Sequence, residues 1–141
     1  QDKYQDNIDI SKLISAVEKA ELLGKRAIIK DQINTLRIKM LVDIFPKAKF
    51  VYIRRDLKSF MTSNVNKWYG SNFTTDEINK IIFHWTMTNL VCALELEQFE
   101  SNRFIEIDYA NITNTDNLDL VRKNLMSILD FLDLNQVDLD Y

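Results

Sequence analysis

Glycine, proline, cysteine and histidine are all scarce in this chain: two glycines, one proline, one cysteine and one histidine among 141 residues. An ordinary domain carries roughly 7% glycine and 5% proline. With only Gly24 and Gly70, no glycine-rich phosphate cradle can be built from these residues. A single cysteine, Cys92, excludes an internal disulfide and leaves the compartment open. It falls within an apolar helical pattern, which predicts a buried structural thiol. A single histidine, His84, cannot make a metal site, and no Cys/His/carboxylate spacing supports one. A helix-surface or core role is predicted for it. No apolar run approaches the roughly 18 residues of a membrane span, and no signal peptide is visible. Low-complexity segments and internal repeats are also missing. A net charge of -3 opposes general attraction to nucleic acid.

What is present is enough for one domain with a real core. The first residues are polar. Ile10, Leu13, Ile14, Val17, Ala20 and Leu23 then keep a 3.6-residue period, with Asp9 or Ser11 as cap and Gly24 as the stop. Ala27-Ile28-Ile29, closed by Lys30, reads as a strand. Asn34 or Thr35 can cap a helix running to about Ile44. Phe50 to Ile53 is a short apolar run of the kind a strand covered on both faces shows. Strand, helix, strand predicts a right-handed crossover and a parallel sheet, with Lys30 beside Arg54 and Arg55 on one edge. Leu57 to Ser63 is helical in pattern. Trp68, Tyr69 and Gly70 sit in a loop, where the aromatics either pin the loop to the core or line a cleft. Thr74 and Glu77 fit a capping box for a helix reaching about Glu100, with Ile78, Ile81, Ile82, Trp85, Leu90, Ala93 and Leu94 facing inward. Arg103 to Asp108 alternates as a strand, and Tyr109 to Ile112 reads as a turn. A last helix spans about Leu118 to Leu132, and a polar tail follows. The predicted fold class is α/β, a parallel sheet flanked by helices.

The corner after Ile53 concentrates the chemistry. Lys47, Lys49, Arg54, Arg55 and Lys58 lie close together with one acid, Asp56. Such a cluster is either a solvated face or an anion site. The end of a strand that feeds a helix favours the anion. Arg55 offers a forked cation suited to phosphate, and Ser63 offers a hydroxyl from the following helix. A rise of ~1.5 Å per residue places Ser63 within about 8 Å of the helix start, so both can reach one phosphate. A salt bridge between Arg55 and Asp56 is the alternative.

These residues carry a resemblance. Phe-Pro-Lys-Ala-Lys-Phe-Val-Tyr-Ile-Arg-Arg-Asp-Leu-Lys-Ser-Phe-Met-Thr-Ser, from Phe45 to Ser63, resembles the 3′-phosphate motif of sulfotransferases that use 3′-phosphoadenosine-5′-phosphosulfate (PAPS). That motif has an apolar strand, Arg-Asp-Pro or Arg-Asn-Pro, and a serine eight positions after the arginine. Arg55 and Ser63 keep that spacing, while Leu57 replaces the proline and Ser59 a frequent aspartate. Ala27-Ile28-Ile29-Lys30 resembles the family's strand ending in a lysine. Arg103 to Ile112 resembles the strand ending Tyr-Glu-Asp-Leu, and Ile128 to Leu134 resembles the helix ending Phe-Leu-Gly-Leu. Together these cover about Gly24 to Leu134 in family order.

The resemblance implies a P-loop-NTPase-like sulfotransferase architecture, without the first strand and 5′-phosphosulfate loop that the family places near its amino end. It implies transfer of a sulfo group from PAPS, as co-substrate and without a metal, to a hydroxyl or amine of a carbohydrate, peptide or small molecule. Arg55 and Ser63 would hold the 3′-phosphate, Tyr109 would contact adenine and Lys30 would steady the sulfo group. Where many relatives place a histidine base, this chain has Gln32 and Asn34; the adjacent Asp31 can serve as the base, and a carboxylate from the part that the family places near its amino end is an equal alternative, so the base is left open. The partners implied are the nucleotide donor, an acceptor, and a companion segment or chain that completes the sheet. A non-catalytic nucleotide-binding or structural subunit of the same fold is the alternative. A nucleotide kinase-like protein is disfavoured by the Arg-to-Ser spacing.

Overall fold

In the computed structural model of the chain, the described residues are 10–30, 32–65, 67, 73–99 and 101–134. They fall into two compact units, which divide after Gln32.

The first unit is built on α1 (Ile10–Leu22). Gly24, at φ +64, ends it. Its N–H donates to the Glu21 carbonyl at 2.9 Å, and the Lys25 N–H reaches back to the Ala20 carbonyl at 2.8 Å. This is a Schellman closure, in which a left-handed glycine lets the last carbonyls find donors. The strand expected over Ala27–Lys30 does not form: residues 25–30 carry no regular structure, and Ile28 is 87% exposed. A strand is a property of pairing, and no ladder bonds those residues to another strand among the described residues. The predicted crossover onto Phe50 is therefore not made.

The division falls within a 3-10 turn (Gln32–Leu36), and in the second unit α2 (Ile38–Ile44) follows after Arg37. The predicted single helix from Asn34 or Thr35 is thus broken, and no side chain caps α2. Next come β1 (Phe50–Arg54), α3 (Leu57–Asn64), α4 (Thr75–Leu96), β2 (Phe104–Asp108), α5 (Tyr109–Thr113) and α6 (Leu118–Phe131). The sheet has two parallel strands, with Phe50 opposite Phe104 and Arg54 opposite Asp108. This is an α/β unit, a small parallel sheet flanked by helices.

Side chains alternate across this sheet. On one face Phe50, Tyr52 and Phe104 pack against buried Ile38, Cys92 and Leu96, which come from α2 and α4. On the other, Ile107 is buried where α5 and α6 pack beside β2. The capping box of α4 forms as expected, with Thr74 and Glu77 each accepting from the other's backbone N–H. At the end of α6, Asp133 takes the left-handed position, φ 52, that glycine occupies in the resembling motif. Lys49 Nζ donates to the Phe131 carbonyl and to Asp133, so a cation sits at the negative end of the helix.

Cys92 is 1% exposed, and burial pushes its thiol up from 9.0 to about 11. It is expected to stay unlabelled by a thiol reagent at neutral pH, because the reactive thiolate is both rare and covered. Labelling monitored through a denaturant titration checks this: reaction should appear only with unfolding.

Candidate functional site

Two parallel strands end on the same edge, and their register decides what meets there. Arg54 lies opposite Asp108, so the next residues, Arg55 and Tyr109, are neighbours. The Arg55 guanidinium carbon sits 4.9 Å from the centroid of the Tyr109 ring. This is cation–π distance. Tyr109 keeps 39% of its surface exposed.

The Arg55 backbone is pinned from a third element. Trp85 Nε1, on α4, donates to the Arg55 carbonyl at 2.9 Å. A tryptophan in mid-helix buries its ring and needs a partner for its N–H, and the strand end supplies the acceptor. Read as a sequence, Trp85 is only an inward-facing aromatic, and nothing near it in the chain names the carbonyl it reaches. Arg55 Nε is buried and has no hydrogen-bond partner. Leaving such a donor unmet costs about 1–3 kcal/mol.

Asp56 is not committed to Arg55. It is the N-cap of α3, its Oδ1 accepting the Ser59 N–H at 2.9 Å. The Ser59 hydrogen bonds hold its carboxyl below the ordinary value of 3.8. Asp108 repeats the device at the end of β2, accepting from the Ala110 N–H, so Tyr109 to Thr113 is a short helix where a turn was expected. Both strands therefore hand over to a helix through a capping aspartate. The sign of the pH effect follows from the lowered carboxyl. The stabilisation by Asp56 is present above its unfolded pKa and is lost as pH falls through the lower folded value. Stability is thus expected to decline below about pH 4. Asp56→Asn, which keeps the cap, should flatten that part of the profile, and Asp56→Ala should lower the melting temperature at neutral pH. Thermal melts at stepped pH read both.

Ser63 is exposed on α3, one turn beyond Ser59. Lys30 is exposed in the first unit, and Asp31 lies outside the described residues, as do Trp68, Tyr69 and Gly70. His84 is exposed on α4, its ring parallel to that of Phe60 on α3 at 6.3 Å.

The basic cluster seen in the sequence is divided. Lys49 closes α6, and Arg54 pairs across the sheet with Glu106 at 3.1 Å. A groove of about 430 Å³ lies on the α4 side of the sheet, bordered by Tyr52, Arg54, Asn89, Leu90, Phe104 and Glu106. None of Arg55, Ser63 and Tyr109 lines it. Tyr52 donates to Asn89 Oδ1 at 2.5 Å, and burial pushes its hydroxyl up to about 12. Among the described residues no cluster of three or more histidines, cysteines and carboxylates gathers to hold a metal.

The fold is that of the α/β class, with a cation held at the carboxyl edge of its parallel strands beside a helix start. The chain is a member of the sulfotransferase family, which it matches over residues 5–138. Sulfo-group transfer is the general activity of that family. No curated protein and no solved structure matches the chain.

Proposed function

We propose that this chain binds the 3′-phosphate end of PAPS at the corner shared by β1 and β2. In this reading it serves transfer of a sulfo group to a hydroxyl or amine of a carbohydrate, peptide or small molecule. One observation carries the reading. Arg55 is held against Tyr109 at the strand ends, with a buried guanidinium N–H that lacks an acceptor. A phosphate at this edge would meet a cation already positioned at the strand ends.

Arg55 binds the 3′-phosphate through its planar fork. Ser63 adds a hydroxyl donor from α3, and the exposed part of Tyr109 meets the adenine. Trp85 fixes the Arg55 backbone, so the cation needs little reorganisation on binding. PAPS, when bound, supplies the activated sulfo group and the bisphosphate leaving group. The outer edge of β1 takes up a parallel strand from a companion segment or chain, which brings the residues that hold the 5′ end.

A second reading, a subunit that holds the nucleotide without transferring from it, is favoured by the unpaired state of Ala27–Lys30. Nucleotide binding is common to both readings. Titration calorimetry with adenosine 3′,5′-bisphosphate, against adenosine 5′-monophosphate, tests it. The bisphosphate is expected to bind at least about tenfold more tightly, since charge-assisted hydrogen bonds contribute about 1.5–3 kcal/mol. Equal affinities, or no binding, would end the reading. Transfer from labelled PAPS then separates the enzyme from the subunit.

A further inference from the structure

Helix α4 is apolar on two opposite sides. One side, with Ile81, Trp85, Cys92 and Leu96, faces the core; Ile81, Cys92 and Leu96 are buried and Trp85 is half-buried. The other holds Phe83, Met87, Leu90 and Leu94, exposed by 67, 39, 49 and 52%. Phe83, Met87 and Leu94 each follow one of the core-side residues by two positions, a rotation of about 200°, and Leu90 lies between Met87 and Leu94 on the same stripe. Leu90 and Leu94, expected inward from periodicity, thus lie on this outer stripe. A helix apolar on both faces is one whose second face has a partner.

We propose that the partner is a second copy of this chain, with α4 packing antiparallel on α4 about a two-fold axis. The stripe is self-complementary in that arrangement. An axis passing between Thr88 and Asn89 sets Met87 against Leu90 of the other copy and Phe83 against Leu94. The next step outward in the same register sets Lys80 against Glu97, both exposed. Lys80 already pairs with Asp76 at 2.6 Å, so in the dimer it stands between two carboxylates. Within the stripe, the charged residues that this register sets against each other, Lys80 and Glu97, are of opposite sign. A parallel pairing would instead set each Lys80 against Lys80 and each Glu97 against Glu97. Two-fold packing of one patch on itself is the commonest form of homo-oligomer.

The size of the patch sets the strength. The four side chains expose on the order of 400 Å² per copy, half of what a standard interface buries on each side. The dimer is therefore weak and depends on concentration. Phe83, the largest and most exposed of the four, anchors it, and Met87 at the centre adapts to the facing Leu90.

Sedimentation velocity on the full chain, from about 5 to about 500 µM, tests this. The wild type is expected to move from monomer toward dimer over that range. Met87→Lys should sediment as monomer throughout, with an unchanged far-ultraviolet spectrum because the residue does not reach the core. Lys80→Glu alone should weaken association about fivefold, and Lys80→Glu with Glu97→Lys should restore it. A wild type that stays monomeric overturns the proposal. So does a dimer that survives Met87→Lys, or a double reversal that fails to recover.

Discussion

Arg55→Ala is expected to weaken binding of adenosine 3′,5′-bisphosphate by about 100-fold, the loss of a forked, charge-assisted pair of hydrogen bonds. Arg55→Lys should recover part of this, to within about tenfold of the wild type, because an ammonium keeps the charge and loses the fork. Arg54→Ala is the contrast. Arg54 points along the sheet face into an ion pair with Glu106 at 3.1 Å, so its removal should change affinity by less than about twofold. Folding and binding also separate at this position. The Arg55 side chain stabilises the free protein through its contact with Tyr109, about 0.5–1 kcal/mol, and through a minor attraction to Asp56, and its unmet Nε opposes that gain. A calorimetric loss of binding with a nearly unchanged melting temperature is therefore the expected pair of results. Unchanged binding in Arg55→Ala would remove the phosphate role from this corner.

That corner was legible in the sequence to an uneven degree, for physical reasons. Features set by a few adjacent residues could be read directly. The stop at Gly24 needs only a left-handed residue after an apolar period, and the Thr74–Glu77 box needs only two side chains three apart. Phe50–Ile53 and Phe104–Asp108 could be read as strands because each is a short apolar or alternating run between turns. Arg55 and Tyr109 each stand one residue past a strand, so parallel pairing alone brings them together. Features that depend on pairing or on choice between partners could not be read. Ala27–Ile29 is as apolar as β1 but has no ladder. Asp56 is adjacent to Arg55 in sequence, yet the N-terminus of α3 competes for its carboxylate through a backbone N–H at 2.9 Å and wins. The inward face of α4 was misread at Leu90 and Leu94 because periodicity cannot choose between two apolar sides of one helix. The Trp85 bond to the Arg55 carbonyl spans 30 positions and has no local signature.

The same helix carries the largest expected change in stability. Leu96 is 5% exposed and closes the cluster with Ile38 and Cys92, against Phe99 and Phe104. Leu96→Ala removes the buried side-chain atoms and leaves a cavity that the aromatic neighbours fill only in part. Such truncations cost about 2–5 kcal/mol. A domain of this size has about 5–15 kcal/mol in total, so the loss takes a large share of the stability of the second unit. The urea midpoint should fall while the slope stays the same, since both states keep their extent of burial. Leu118→Ala is the control: Leu118 is 67% exposed at the start of α6 and should shift stability by less than about 0.5 kcal/mol. The effect should also reach the site. Leu96 seats α4 against the sheet, and α4 holds the Arg55 carbonyl through Trp85. At temperatures where Leu96→Ala is still folded, bisphosphate affinity should fall by less than in Arg55→Ala, because the cation remains and only its support is loosened. A Leu96→Ala protein as stable as the wild type would mean that the helix is not seated on this cluster.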